Sequence, residues 1–230
     1  MTKSLSILLL LLMLIPPAQA RNENEDKIRY YDVELIVFER NDLAAAKREF
    51  WPAVAERPGP GISLSRAGFP SLEENQRQLN AAHLALARSP AYTPLAYLSW
   101  RQPGFDAAQA VPVRIQSGQS FEMSVESDTP GPLRQLEGTV KVVLGRYLHV
   151  YADLLLRRPM PEGFVGENRV GGLQETADDS GAGFREPTTQ LHEFQMRQHR
   201  RMRRNEVHYL DHPMMGMLVL IRRAQPNPSE

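Results

Sequence analysis

The chain contains no cysteine. This excludes disulfides, thiolate metal sites, a cysteine nucleophile and a lipid attached through cysteine at an export cleavage point. A fold working in an oxidising compartment must then be held by its core alone. Net charge is also missing. The 27 basic residues are balanced by 27 acidic ones, which argues against a nucleic-acid partner. No G-x-S-x-G elbow, phosphate loop or dinucleotide fingerprint occurs. Carboxylates are plentiful, so an acid–base hydrolase stays open, but no pair stands out. No cofactor is expected.

One long apolar run is present, and it lies at the start. Lys3 supplies a positive charge, Ser4 to Ile15 is apolar, and Ala18-Gln19-Ala20 fits a signal-peptidase site. The run is short for a membrane span, which needs about 20 residues. Residues 1–20 are therefore read as a signal peptide cleaved after Ala20, leaving an exported, periplasmic protein without a membrane anchor. Its formal charge would be −1, because only Lys3 among the charged residues leaves. That is length enough for one domain, expected over 21–223, with a disordered tail at 224–230.

Tyr30 to Phe38 reads as a central strand covered on both faces, since Val33, Leu35, Ile36, Val37 and Phe38 are nearly continuous. Asp32 and Glu34 share a face with Ile36 and Phe38. They are read as strand-end polarity near solvent, partnered by Arg40 or another basic side chain; a functional carboxylate pair is the alternative. A short helix is expected over Ala44 to Phe50, ended by Trp51-Pro52, with Trp51 plugging a core edge or stacking on a sugar. Ser71-Leu72-Glu73-Glu74 is a capping box, and Leu72, Leu79 and Leu86 continue an amphipathic helix that Pro90 stops. A strand over Leu95 to Arg101 follows, so strand, helix and strand read as a crossover unit. Edge strands are expected near Val111 to Ile115 and Phe121 to Val125. The fold class is α+β: a mainly antiparallel sheet with one principal amphipathic helix, compatible with a ferredoxin-like plan.

Leu136 to Leu144 and Tyr147 to Leu156 read as a hairpin around Gly145-Arg146, a type II′ turn. That turn pairs Val142 with His149 and Val140 with Tyr151. Leu148, Val150, Ala152, Leu154 and Leu156 then form the core face. The opposite face carries Tyr147, His149 and Tyr151, either as a second buried layer or as a platform for a sugar ring. The buried layer is the expected one, because Val140, Val142 and Leu144 would share that face. Residues 157–190 are glycine-rich, acidic and aperiodic, and are read as a mobile excursion.

Leu191 to Arg204 reads as a strand by alternation. Arg197, His199, Arg201 and Arg203 project from one face, and Phe194, Met196 and Met202 from the other. The basic row spans about 20 Å. It can grip carboxylates bidentately, or it can protect a sheet edge; both readings stand. His208 and His212 lie four apart with Asp211 between. A zinc site needs three or four oriented ligands, and Pro213 follows at once. The expectation is that these groups satisfy backbone at a bend before the last strand. His208, Tyr209 and Asp211 could still touch a ligand there.

Arg200-Arg201-Met202-Arg203, Glu206-Val207-His208-Tyr209-Leu210-Asp211-His212-Pro213 and Gly216-Met217-Leu218-Val219 resemble the CsiV family of periplasmic peptidoglycan-binding proteins, as do Tyr31 to Phe38 and Arg146 to Val150. The resemblance implies peptidoglycan binding in the periplasm and support of a lipoprotein-activated bifunctional cell-wall synthase, with that synthase or its lipoprotein activator as partner. It carries no motif that assigns site residues. Binding of cell-wall polymer without turnover is the main expectation. A protein-interaction module docking on the synthase activator, or a cell-wall hydrolase, is the alternative.

Overall fold

The structure is a computed structural model and describes residues 29–42, 44, 57–121, 132–160, 169–172 and 190–225. The expected signal peptide, most of the Ala44 to Phe50 helix, Trp51, Glu122 to Val125 of the second expected edge strand, most of the excursion and the end of the tail lie outside them. In chain order the elements are β1 (Tyr30–Arg40), a 3-10 turn (Glu74–Gln76), α1 (Asn80–Arg88), β2 (Tyr92–Pro103), β3 (Val113–Phe121), β4 (Leu133–Leu144), β5 (Leu148–Met160), β6 (Arg169–Gly172), β7 (Gln190–Met202), β8 (Val207–Asp211) and β9 (Met215–Arg223).

They form two antiparallel sheets, one of order β2-β1-β9-β8 and one of order β3-β4-β5-β7-β6. The chain passes from the first sheet to the second after β2 and returns after β7. One core lies between them. Val33, Leu35 and Val37 of β1 and Met217, Val219 and Ile221 of β9 meet Val140 and Val142 of β4, Val150 and Leu154 of β5 and Phe194 and Met196 of β7. The other face of the four-stranded sheet carries α1, through Leu79, Ala82 and Leu86 against Ile36, Phe38 and Leu220. The mainly antiparallel, single-helix expectation holds among the described residues. A ferredoxin-like plan is not confirmed: one helix and a second sheet cover the two faces of the first.

β1 is the central strand the sequence predicts, buried without a break from Tyr31 to Glu39. Its neighbour β2 runs antiparallel to it, so the expected crossover unit does not form. Asp32 and Glu34 do face Ile36 and Phe38, but they are not near solvent. Asp32 is buried and takes a two-point ion pair from Arg101, at 2.7 and 3.2 Å. Glu34 is 0% exposed and accepts from Gln78 N–H, Leu79 N–H, the Tyr97 hydroxyl and Arg222 Nη2, all at 2.9–3.0 Å. Arg40 instead pairs with Asp211 at 2.9 Å.

That carboxylate also explains why the helix is shorter than its leucine repeat predicts. The N–H groups of Gln78 and Leu79 are drawn to Glu34, and α1 begins at Asn80 with the negative charge at its positive end. Ser71 is no cap. Residues 70–72 pad the edge of β2, where Leu72 N–H donates to Ser99 O and Arg101 N–H to Pro70 O. The reciprocal cap forms later, with Glu73 N–H donating to Gln76 Oε1 at 3.1 Å. The helix stops as expected, Ser89 being extended before Pro90.

Two further boundaries move. The first expected edge strand and the start of the second are one strand, β3. The excursion begins later than Arg157, because β5 runs to Met160. Arg157 is itself 0% exposed and donates to Glu193 and Glu137, both at 2.7 Å, and to Arg134 O at 2.9 Å. Burial opposes its charge, but the bonds and charges of Glu137 and Glu193 outweigh burial and raise its pKa.

Removing the Glu34 acceptor should strand the N–H groups of Gln78 and Leu79 and leave Arg222 without its carboxylate, while the Tyr97 hydroxyl keeps Asn80 Oδ1 and Arg222 Nη2 keeps Gln76 O. Glu34→Ala is expected to cost about 3–5 kcal/mol, as for one partner of a buried ion pair. Glu34→Gln keeps an acceptor oxygen and should cost about 1–3 kcal/mol. Urea unfolding reads both, and a Glu34→Ala protein as stable as the parent would remove this carboxylate from its structural role.

Candidate functional site

The outer face of the five-stranded sheet brings most of the predicted residues together. Register sets the pattern. Val143, His149 and Arg201 lie in one row across β4, β5 and β7; Lys141, Tyr151 and His199 in the next; Thr139, Asp153 and Arg197 in the third. β7 alternates as the sequence predicts. Arg197, His199 and Arg201 are exposed, while Phe194, Met196 and Met202 are buried.

The β4–β5 register differs from the expected one by one residue. The connection is Gly145 to Tyr147, three residues rather than two, and Gly145 does not take the positive φ of a type II′ turn. Leu144 therefore pairs with Leu148, Val143 with His149 and Lys141 with Tyr151. Val140 and Val142 turn into the core. The Tyr-His-Tyr row is thus not a second buried layer: Tyr147 is 45% and Tyr151 39% exposed. One residue of slip moves every side chain to the opposite face. It also brings out Lys141, which the shorter turn would have set opposite Val150.

The rings are not bare. Tyr151 stacks on His199 with centroids 4.3 Å apart and planes 8° from parallel. Lys141 Nζ, on the strand at its other side, stands 5.2 Å from its centroid. The Tyr147 ring carries the Arg201 guanidinium at 4.5 Å and that of Arg146 at 5.7 Å. His149 Nδ1 and His199 Nε2 share a hydrogen bond of 2.8 Å. Asp153 accepts from Gln195 Nε2 at 2.9 Å and pairs with Arg197 at 3.2 Å. Among the described residues, no carboxylate pairs with Lys141, Arg146 or Arg201.

A cavity of about 460 Å³ opens here, lined among others by Gly59, Pro60, Lys141, Tyr151, Arg197 and His199. Its rim is the chain before Ile62, which bonds along the free side of β3: Ile62 N–H donates to Pro112 O and Arg114 N–H to Ile62 O. Glycine is required at 61, where a Cβ would lie 2.6 Å from Thr139 Cγ2. Beneath Asp153, Gly138 has φ +148 and a Cβ would meet the Asp153 carbonyl at 2.1 Å. The sheet could not hold Asp153 there over any other residue.

The remaining predicted residues lie elsewhere. Arg203 is past the end of β7, in the turn to β8, with Nη1 3.9 Å from Glu206. His208 Nε2 accepts from Arg203 N–H at 3.0 Å. Leu210 enters the core, so Tyr209 and Asp211 turn to the helix-bearing face, away from the second sheet. There Tyr209 lies parallel to Phe38, at 6.2 Å and 7°, and donates to Asp211. Burial, then Asp211, raises the Tyr209 pKa to about 12. His212 is buried in the β8–β9 turn, and Met214 N–H donates to its Nδ1 at 3.2 Å. Of the groups expected to serve backbone at the bend before the last strand, His212 does; His208 serves the β7–β8 turn instead, and the Asp211 carboxylate takes the side chains of Arg40 and Tyr209. Among the described residues no three His, Asp or Glu side chains are placed to hold a metal ion. Lys141, Arg146, Gly59 and Pro60 were missed. A lysine between Val140 and Val142 in a strand was the available signal.

A family model described as peptidoglycan-binding protein, CsiV, matches residues 4–224. No curated protein and no solved structure matches the chain.

Burial lowers the His212 pKa from 6.5 to about 4, against smaller raising effects of Asp211 and the Gln195 backbone. Between those values the unfolded chain binds a proton that the folded one does not. Stability is therefore full above about pH 6.5 and should fall as pH drops toward 4, by at most about 3 kcal/mol. His212→Asn, whose side-chain oxygen can still accept from Met214, should flatten this part of the profile. Unfolding midpoints at pH 7.5 and 4.5 test it, and an unchanged slope in the variant would assign the acid sensitivity to other groups.

Proposed function

Because the chain belongs to the CsiV family of peptidoglycan-binding proteins, we propose that it binds periplasmic peptidoglycan without cutting it, through the outer face of the five-stranded sheet. The observation that carries the reading is the placement of Lys141, Arg146 and Arg201. All three meet rings rather than carboxylates, and Lys141 lines the cavity. Cations held by aromatic rings keep their charge available to a ligand, whereas cations already in ion pairs must give up a partner first.

The same surface explains binding without turnover. Its one central carboxylate, Asp153, is committed to Gln195 and Arg197. Hydrolysis of a glycosidic bond ordinarily uses two carboxyl groups facing each other across the bond, and the other nearby acids, Glu137 and Glu193, are tied to Arg157. Export by residues 1–20 would deliver the protein to the polymer. No helix among the described residues is long and apolar enough to cross a membrane. Held on the wall, the protein would support cell-wall synthesis by assisting a lipoprotein-activated bifunctional synthase.

Co-sedimentation of the protein lacking residues 1–20 with purified sacculi tests the reading. Binding should weaken with salt. It should fall at least about tenfold in a Lys141→Ala, Arg201→Ala double variant, as expected for losing charge-assisted contacts. Absence of co-sedimentation would refute polymer binding. Release of soluble fragments would refute binding without turnover.

A further inference from the structure

We propose that this face recognises the free carboxylates of the peptide stems and not the sugar rings of the glycan, a reading that rests on peptidoglycan binding at the same site. Sugar recognition by aromatic side chains needs an open ring face for the C–H groups to pack on. Tyr151 has none to offer. β5 runs between β4 and β7, so Lys141 and His199, its partners in one row, stand on its two sides. Tyr147 carries two guanidinium groups. His199 is shared between Tyr151 and His149, with centroids at 4.3 and 5.0 Å.

What the rings leave pointing outward is the opposite of a sugar platform. Lys141 presents an ammonium, Arg201 and Arg146 present guanidinium groups, and each lacks a carboxylate partner among the described residues. These are donors of positive charge, and their complement is an anionic acceptor. Guanidinium suits a planar carboxylate, which it can meet with two parallel bonds.

Geometry narrows the ligand further. Lys141 and Arg201 sit two strands and one row apart. Strand spacing and rise put their backbones about 12 Å from one another, which three or four residues of extended peptide span. Asp153 closes the third row. Held by Gln195 and Arg197 at the end of the cavity, it occupies Arg197, so the lining cation that has no carboxylate partner among the described residues is Lys141. A stem with carboxylates several bonds apart fits this arrangement; a neutral glycan strand leaves the cations without partners.

Isothermal titration with four ligands tests the assignment: a disaccharide bearing its peptide stem, the same fragment with its carboxylates amidated, glycan strands stripped of stems by an amidase and amidated at the lactyl carboxylates that this exposes, and a glutamate oligomer. The stem-bearing fragment should bind. Amidation should weaken it at least about tenfold, stripped glycan should not compete, and the glutamate oligomer should bind more weakly than the stem. Lys141→Arg should retain binding while Lys141→Met loses it, both with the parent's thermal midpoint, which separates lost charge from lost folding. Stripped glycan binding as well as the stem-bearing fragment would overturn the proposal while leaving peptidoglycan binding intact. So would indifference to amidation, or a glutamate oligomer bound equally well. Failure of the protein to bind whole sacculi would overturn both.

Discussion

A buried carboxylate in a strand walled on both sides sets much of this architecture. Glu34 sits in the middle of β1 with no exposed surface, between β2 and β9 in its sheet and beneath the start of α1. A charge there is tolerable only when its acceptor capacity is filled. The donors come from three separate parts of the chain: Gln78 and Leu79 before the helix, Tyr97 on β2 and Arg222 on the last strand. Burial, then Glu34, raises the Tyr97 pKa, keeping its hydroxyl a donor. One acid thereby ties helix start, second strand and final strand to β1. With the other face of β1 closed by aliphatic side chains against β4, β5 and β7, the second sheet is left with one face free for ligands.

Several elements were legible in the residues. The unbroken apolar run of β1 requires cover on both faces, and has it. The alternation in β7 separates Phe194, Met196 and Met202 from Arg197, His199 and Arg201, because a strand offers only two directions. Leu148, Val150, Ala152, Leu154 and Leu156 entered the core for the same reason. What failed depended on partners distant in the chain. The direction of β1 relative to β2 is a tertiary choice that a strand-helix-strand order does not determine. The start of α1 is fixed by Glu34, more than forty positions upstream, against a local capping box that favoured Ser71. Local propensity gives way where a buried acceptor needs those N–H groups.

The site was half legible, and the missing half turned on one residue of loop length. A two-residue turn at Gly145-Arg146 would have put Val140 and Val142 beside His149 and Tyr151, making that row look like core. The three-residue connection puts Lys141 there instead. Lysine is almost never buried unpaired, so a lysine in the strand was evidence for the longer loop. The basic row itself divided. Arg197 is bound to Asp153, Arg203 leaves the sheet with the turn, and Arg201 alone of the three stays on a ring. Tyr209 and Asp211 could not join it, because Leu210 needs the core and alternation then sends its neighbours to the helix side.

The lower and upper parts of the same sheet face show what charge does when it is or is not closed in. In the lower part Arg157 takes both Glu137 and Glu193, and its guanidinium is sealed from water. Such a cluster is structural: its attraction is consumed in offsetting desolvation. Three rows further along β5, past Asp153, the face opens and the acids run out. There the cations rest on tyrosine rings, which cost less to leave than a carboxylate and hold the side chains in place meanwhile. A ladder of backbone hydrogen bonds fixes the spacing of those side chains more firmly than a loop could. Specificity then follows from the order of groups across the rows, with Asp153 occupying Arg197 at one end and Lys141, Arg201 and Arg146 left to attract acids.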